Sequence, residues 1–345
     1  MIDIGNVMLI VAVAVSAQPE ARIVPINPPE YDFFSKMLDY HGIPIKAHQD
    51  VDARALLEAR RQLARLLDHV PDIRYNLVQT GAELHIIGKD QQTSDLPYLR
   101  HQKGKPYKSY GKEFASIDSR TRGLGGIQTS CSEESLLKLP SARHRDHREI
   151  CSHECGHMIF GHGLSPDVRK MVEQQYAESK KKERWKTAYA ATNANEFFAE
   201  LTMWYVGSRG DYGKIDPKPE VGQDWLRQYD PEAFDLLDGI YSGRIQVQRI
   251  TYTQLAPRPA SEEGMLRSTS SSQPTKIVFN NRTSQVYKLF WLDTHGQRKP
   301  HGEIQPGKKR WQGTFATHAW VVIKPDGDVF GIYVAEEQPG KVEIK

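Results

Sequence analysis

At 345 residues the chain is long for one domain and comfortable for two. Its content of 39% hydrophobic and 26% charged residues excludes a disordered or fibrous protein. With 46 basic against 43 acidic residues the charge nearly cancels, which argues against a nucleic-acid partner. The densest basic run, residues 180–186, reads as a solvated helix face.

In chain order, the first element is an apolar run over residues 7–15, followed by Ser16 and Ala17. It is too short to span a bilayer, so no stable membrane span is expected. It fits the core of a signal peptide cleaved after Ala17, which would make the protein secreted. Asp3 stands where such a leader carries a basic residue, and the alternative is a buried apolar strand. Residues 23–29 form a Pro-rich extended entry, and residues 52–70 have the spacing of an amphipathic helix that Pro71 ends. Leu77-Val78 and residues 82–87 read as strands joined at Gly81. Order thins over residues 97–112. Gly123, Gly125 and Gly126 predict a tight turn into an edge strand over residues 127–130, a candidate for pairing with substrate backbone.

Helices dominate from residue 146 to about 243. A Ser/Pro-rich stretch over residues 251–275 then reads as a linker, and from 276 the texture changes to short alternating strands. The expected strands cover residues 277–279, 287–292, 319–323 and 329–334. The domain plan is a leader over 1–17, a first domain over 18–250, the linker, and an all-β domain over 276–345. Cys131, Cys151 and Cys155 leave the redox question open. An exported chain could pair Cys131 with either of the others, and a cytosolic one would keep all three reduced.

His153-Glu154-Cys155-Gly156-His157 is an HExxH motif. Asp146 and Glu149 suggest a capping box and Gly161 a stop, which places the motif on a helix. Histidines four apart on a helix project from one face and can both reach one Zn²⁺, with Glu154 beside the open position as base. Cys155 faces away and is no ligand. The third ligand decides the type. The metzincin spacing fails, because Phe160 and Gly163 stand where its glycine and histidine belong. Asn195-Glu196-Phe197-Phe198-Ala199-Glu200 instead offers the gluzincin arrangement. There Glu196 binds the ion and Glu200, one turn on, orients a ligand histidine.

With Tyr189 seven residues before Glu196, the span 152–205 resembles the catalytic domain of anthrax lethal factor and related secreted gluzincins. The resemblance implies an α+β zincin-like metallopeptidase domain and one Zn²⁺ per chain held by His153, His157 and Glu196. It also implies Glu154 as general base and Tyr189 as donor to the oxyanion. Residues 120–126 and 133–137 resemble scaffold segments upstream of the motif in other secreted members.

The last seventy residues resemble the β domain of the von Hippel–Lindau tumour suppressor family. The matching pieces are Phe279 to Thr283, Trp291-Leu292-Asp293 with Gly296, Pro306-Gly307, and Thr317-His318-Ala319-Trp320. That resemblance implies a small β-sandwich binding a protein ligand that carries proline or hydroxyproline. Its pocket would be formed by His301, Thr314, His318 and Trp320, with His301 in place of a tyrosine and Gly313 in place of a histidine. The expectation is thus a secreted zinc endopeptidase acting on protein or peptide, with a protein-binding β-sandwich. The competing reading is a secreted binding or adhesion protein whose zinc domain is structural.

Overall fold

The computed structural model describes residues 21–144 and 148–345. The expected leader and Asp146 lie outside them. The chain opens with β1 (Ile23–Glu30), β2 (Phe34–Tyr40) and β3 (Ile43–Ala47), an antiparallel meander. Two helices follow, α1 (Ala53–Leu67) and α2 (Pro71–Thr80), then β4 (Glu83–Ile87). Asp52 caps α1 by accepting from Arg54 N at 2.8 Å. Pro71 does more than end the predicted helix. It opens α2, where its missing N–H costs nothing, and Gly81 closes it at φ +77°. Leu77 and Val78 therefore lie on a helix and not on the expected strand. Ile73, Asn76, Leu77 and Thr80 recur at the 3–4 spacing of a buried helix face.

A small hairpin, β5 (Tyr107–Ser109) and β6 (Lys112–Phe114), precedes the short α3 (Ile117–Arg120) and β7 (Gln128–Ser132). The five-stranded sheet has the order β1-β2-β3-β4-β7, with β3, β4 and β7 parallel. After the short α4 (Glu133–Leu136) come α5 (Ile150–Met158), a π-helical turn over Ile159–Gly163, and α6 (Pro166–Lys181). The helix carrying HExxH thus does not stop at Gly161 but runs on, underwound, to Gly163. The helical part closes with α7 (Ala194–Tyr205), α8 (Gln223–Tyr229) and α9 (Pro231–Tyr241). One hydrophobic core joins α1, α5 and α7 to the sheet through Leu56, Leu63, Ile86, Met158, Phe197 and Trp204. Cys131 on β7 is bonded to Cys151 on α5, while Cys155 is free and buried.

The remainder is a β-sandwich. Its strands are β8 (Thr253–Gln254), β9 (Pro274–Asn281), β10 (Tyr287–Leu292), β11 (Arg298–Ile304), β12 (Lys309–Phe315), β13 (Ala319–Ile323), β14 (Val329–Val334) and β15 (Gly340–Ile344). One sheet runs β11-β10-β13-β14 and the other β12-β9-β15-β8. The stretch read as a linker is stitched to this sandwich. β8 pairs with β15, Leu255 is core, and Arg258 bridges to Ile332. Ser268 is buried, its Oγ accepting from Ala319 N at 3.0 Å and donating to the Leu292 carbonyl. Its Ser and Pro content marks irregular backbone, but Leu255 and the buried hydroxyl hold that backbone in place. Among the described residues no helix is long and apolar enough to cross a membrane.

The two parts meet along β12. Lys309 Nζ donates to the Val78 carbonyl at 2.8 Å, and the Trp311 ring stands edge-on to His162 at 5.0 Å. Lys308, just before the strand, reaches Glu30 at 2.7 Å and joins a buried charge cluster of Lys46, Glu83 and His85. His162 is thereby pushed down to about 4, first by burial and then by Lys276 and Arg169.

Candidate metal centre

His153 and His157 sit one turn apart on α5, and Glu196 enters from the first turn of α7. Asn193 caps α7 by accepting from Glu196 N at 2.9 Å, which puts Glu196 at the helix end where a carboxylate is favoured. The two helices approach closely because of the glycine within HECGH. A Cβ at Gly156 would stand 2.9 Å from the Ala199 Cα.

The three ligand-type atoms form a tight triangle. His153 Nε2 and His157 Nε2 are 3.0 Å apart, and each is 3.3 Å from Glu196 Oε2. Ligands placed about 2.0–2.1 Å from one tetrahedral ion stand roughly 3.3 Å from each other. Glu196 Oε2 is buried and has no hydrogen-bond partner among the described residues. The outer imidazole nitrogens are spoken for: His157 Nδ1 lies 2.8 Å from Asn195 Oδ1, and His153 Nδ1 lies 3.1 Å from Glu200 Oε1, though poorly aligned for a hydrogen bond. With a cation at the centre of the triangle, protons on both Nδ1 atoms would leave an Nε2 lone pair on each ring to face it. Glu200 is itself held by Asp211 N, at 2.5 Å from its Oε2. Burial opposes a charge on His153, but Glu196 and Glu200 outweigh it and lift its pKa to about 10. Burial likewise opposes ionisation of Glu196, yet the two histidines hold its pKa well below the usual range. The cluster calls for positive charge at its centre, and its donor set of two imidazoles and a carboxylate suits Zn²⁺.

Glu154 points into the same cleft and groups with both histidines. Among the described residues none donates a hydrogen bond to its carboxylate, and burial raises its pKa. Tyr189 lies opposite, its hydroxyl 3.2 Å from Glu196 Oε1. Burial first, then Glu196, raises the Tyr189 pKa, so the phenol is a proton donor at neutral pH.

Several groups at this site carry no sequence motif. Tyr110 at the tip of the β5–β6 hairpin donates to Glu196 Oε1 at 2.7 Å. Arg120 donates to the Tyr189 hydroxyl at 3.1 Å. Asn195 gave a signal only as the neighbour of Glu196. The Gly-rich stretch serves both turning and contact: Gly126 sits at φ +134° where the chain turns back to pair Leu124 with Ser130. A Cβ at Gly125 would stand 2.2 Å from His157 Cβ, and one at Gly123 would stand 3.0 Å from Glu154 Oε1. This stretch also alters the expected substrate strand. β7 is the sheet edge, but Leu124 N and O already bond Ser130 O and N at 3.0 and 2.8 Å. The rim that faces the cleft is therefore residues 123–126 and not 127–130. The cleft encloses about 700 Å³.

In the sandwich, Trp320 is 2% exposed and its Nε1 donates to Thr314 Oγ1 at 3.0 Å. The His301 ring stands edge-on to it at 4.9 Å. His318 tilts against Trp291 at 5.4 Å, and Trp291 Nε1 is buried without a partner among the described residues. The four expected pocket residues thus gather with Trp291, but Trp320 itself is mostly enclosed.

The family model of the VHL beta domain matches residues 266–330. The match begins within the supposed linker, in keeping with the strap that Ser268 pins to the sandwich.

Proposed function

We propose that this chain is a zinc-dependent endopeptidase of the gluzincin type, with a zincin-like catalytic domain and a docked β-sandwich that binds a protein ligand. The observation that carries the reading is the triangle of His153, His157 and Glu196, with Glu196 Oε2 buried and without a hydrogen-bond partner among the described residues. His153, His157 and Glu196 would hold the ion. Bound zinc supplies Lewis acidity that activates water at neutral pH and polarises a carbonyl. Glu154 takes the proton from the attacking water and passes it to the leaving nitrogen. Tyr189 donates to the oxygen that gains charge, releasing Glu196 Oε1, which Tyr110 still holds. Glu200 and Asn195 keep the imidazoles turned inward. The expected substrate is protein or peptide in extended form, laid along residues 123–126. Secretion, proposed from the leader, fits the Cys131–Cys151 bond.

Zinc analysis and cleavage of a peptide library by wild type and Glu154→Gln test the reading. Stoichiometric zinc with an undiminished Glu154→Gln rate would sink it. The VHL beta domain match favours a second reading, a binding protein in which the sandwich recognises a proline-bearing protein and the zinc domain is structural. Bound zinc with no cleavage of any peptide would select it.

A further inference from the structure

The charged side chains lining the cleft are not all held in ion pairs. On the acidic side, Glu196 and Glu200 face the histidines, Glu154 lies beside them, and Asp211 takes Arg148 at 3.5 Å and the Tyr189 N–H. On the basic side, Arg122 is committed, its Nε and Nη2 forked onto Glu134 at 2.8 and 2.9 Å. Two further arginines line the same cleft without a salt bridge among the described residues. Arg120 has the Tyr189 hydroxyl at 3.1 Å and the Phe114 ring at 5.4 Å. Among the described residues Arg143 hydrogen-bonds only the Asp118 backbone carbonyl at 3.2 Å, because the Asp118 carboxylate is turned to the Ser94 N–H and hydroxyl at 2.7 Å. The three guanidiniums are near enough to repel: after burial, Arg122 and then Arg120 lower the Arg143 pKa.

We propose that Arg120 and Arg143 form a subsite for an anionic side chain, so that the substrates are peptides or proteins carrying Asp or Glu close to the scissile bond. The proposal deepens the peptidase reading and rests on it. A guanidinium that lacks a carboxylate offers paired N–H donors matched to one, and an incoming carboxylate also relieves the repulsion among the arginines. Arg120 bonds the Tyr189 hydroxyl, so the subsite adjoins the reacting carbonyl. Arg143, on the exposed loop before α5, is its outer member.

The test uses blocked decapeptide libraries in which one position at a time is Glu, Gln or Lys. Cleavage is measured with wild type, Arg143→Gln and Arg143→Glu, and retention with immobilised Glu154→Gln in both Arg143 backgrounds. At one position Glu is expected to exceed Gln in kcat/KM by roughly tenfold, as one charge-assisted contact gives. Arg143→Gln is expected to erase most of that advantage while leaving the Gln peptide unchanged, and Arg143→Glu to turn the preference toward Lys. Cleavage without any acidic preference, or with a preference that survives Arg143→Gln, overturns the subsite and leaves the peptidase reading intact. Arg143-dependent retention of Glu peptides with no cleavage supports the subsite and removes the peptidase. Neither cleavage nor retention removes both.

Discussion

Replacing Lys308 with Met tests whether the sandwich contributes to the first domain's stability or is a passenger. Lys46 is 1% exposed and contacts Glu30 at 3.0 Å and Glu83 at 2.5 Å, while Lys308 contacts Glu30 at 2.7 Å. Two carboxylates thus meet two ammonium groups only when the sandwich supplies the second. Burial pushes the His85 pKa down, so that ring adds no cation at neutral pH. Lys308→Met keeps most of the side chain and leaves one carboxylate uncompensated. Breaking a fully buried pair costs about 3–5 kcal/mol. The Lys308 side chain is 31% exposed, so water screens part of the loss and about 1–3 kcal/mol is expected. For a cooperative unit of this size that corresponds to a fall of roughly 1–5 °C in Tm. Glu30→Gln in the same background is expected to recover part of it, giving a coupling energy in a double-mutant cycle. The pH dependence has a definite sign. Burial alone would raise the Glu83 pKa, but His85, Lys46 and Lys308 outweigh it and hold it at about 2, below the ordinary 4.5. Its contribution is full above the ordinary value and is lost as pH falls toward 2. Without Lys308 the folded value lies nearer 4.5, so that loss is smaller and is complete at a higher pH. Thermal scans of both variants between pH 3 and 7 check this. An unchanged Tm, an unchanged acid limb and no coupling would mean that the sandwich rides free.

Further outcomes follow from the centre. Glu196→Ala is expected to lose tight zinc binding and Glu200→Ala to weaken affinity roughly 10–100-fold, read by competition with a chelator. Equal affinity of Glu196→Ala and wild type would place the third ligand elsewhere. Tyr189→Phe is expected to keep zinc and lose about 10²–10³ in kcat, and an unchanged kcat would remove it from the reaction. Tyr110→Phe frees Glu196 Oε1 from the hairpin and is expected to weaken zinc binding about tenfold with the fold intact.

The sequence was informative wherever a local period or spacing determines geometry. Four-residue spacing fixes the direction of His153 and His157 on one helix face. The same spacing holds Glu196 and Glu200 in register, and short runs of β-branched and aromatic residues announce β9, β10, β13 and β14. It was silent wherever tertiary contact chooses. Tyr110 reaches Glu196 only because a hairpin folds over the cleft, and no spacing encodes an 86-residue separation. Leu77 and Val78 are apolar and short enough to be strand or helix, and Pro71 decided by starting a turn instead of ending one. Ser268 belongs compositionally to a linker, yet one buried hydroxyl bonded to two strands makes it structural. The extension past Gly161 similarly reflects packing, since a Cβ at Gly163 would stand 2.7 Å from the Ile73 side chain.

The sandwich separates two kinds of tryptophan, and that separation makes its ligand site testable. Trp320 is enclosed, with its N–H paired to Thr314 at 3.0 Å. Thr314→Val leaves a buried donor unsatisfied and is expected to cost about 1–3 kcal/mol of stability whether or not any ligand exists. Trp291 is part-exposed beside His318, and its buried N–H has no partner among the described residues. Trp291→Phe therefore breaks no hydrogen bond among them and is expected to change stability by less than about 1 kcal/mol. If that N–H serves a ligand carbonyl or hydroxyl, the same substitution is expected to weaken binding by roughly 2–10-fold. Titrating the whole chain with Pro-rich and hydroxyproline-bearing peptides, for wild type and both variants, gives the comparison. A ligand site at Trp291 requires affinity to fall while Tm holds. Equal binding by wild type and Trp291→Phe, or no binding at all, would leave the sandwich its docking role against His162 and Glu30 and nothing more.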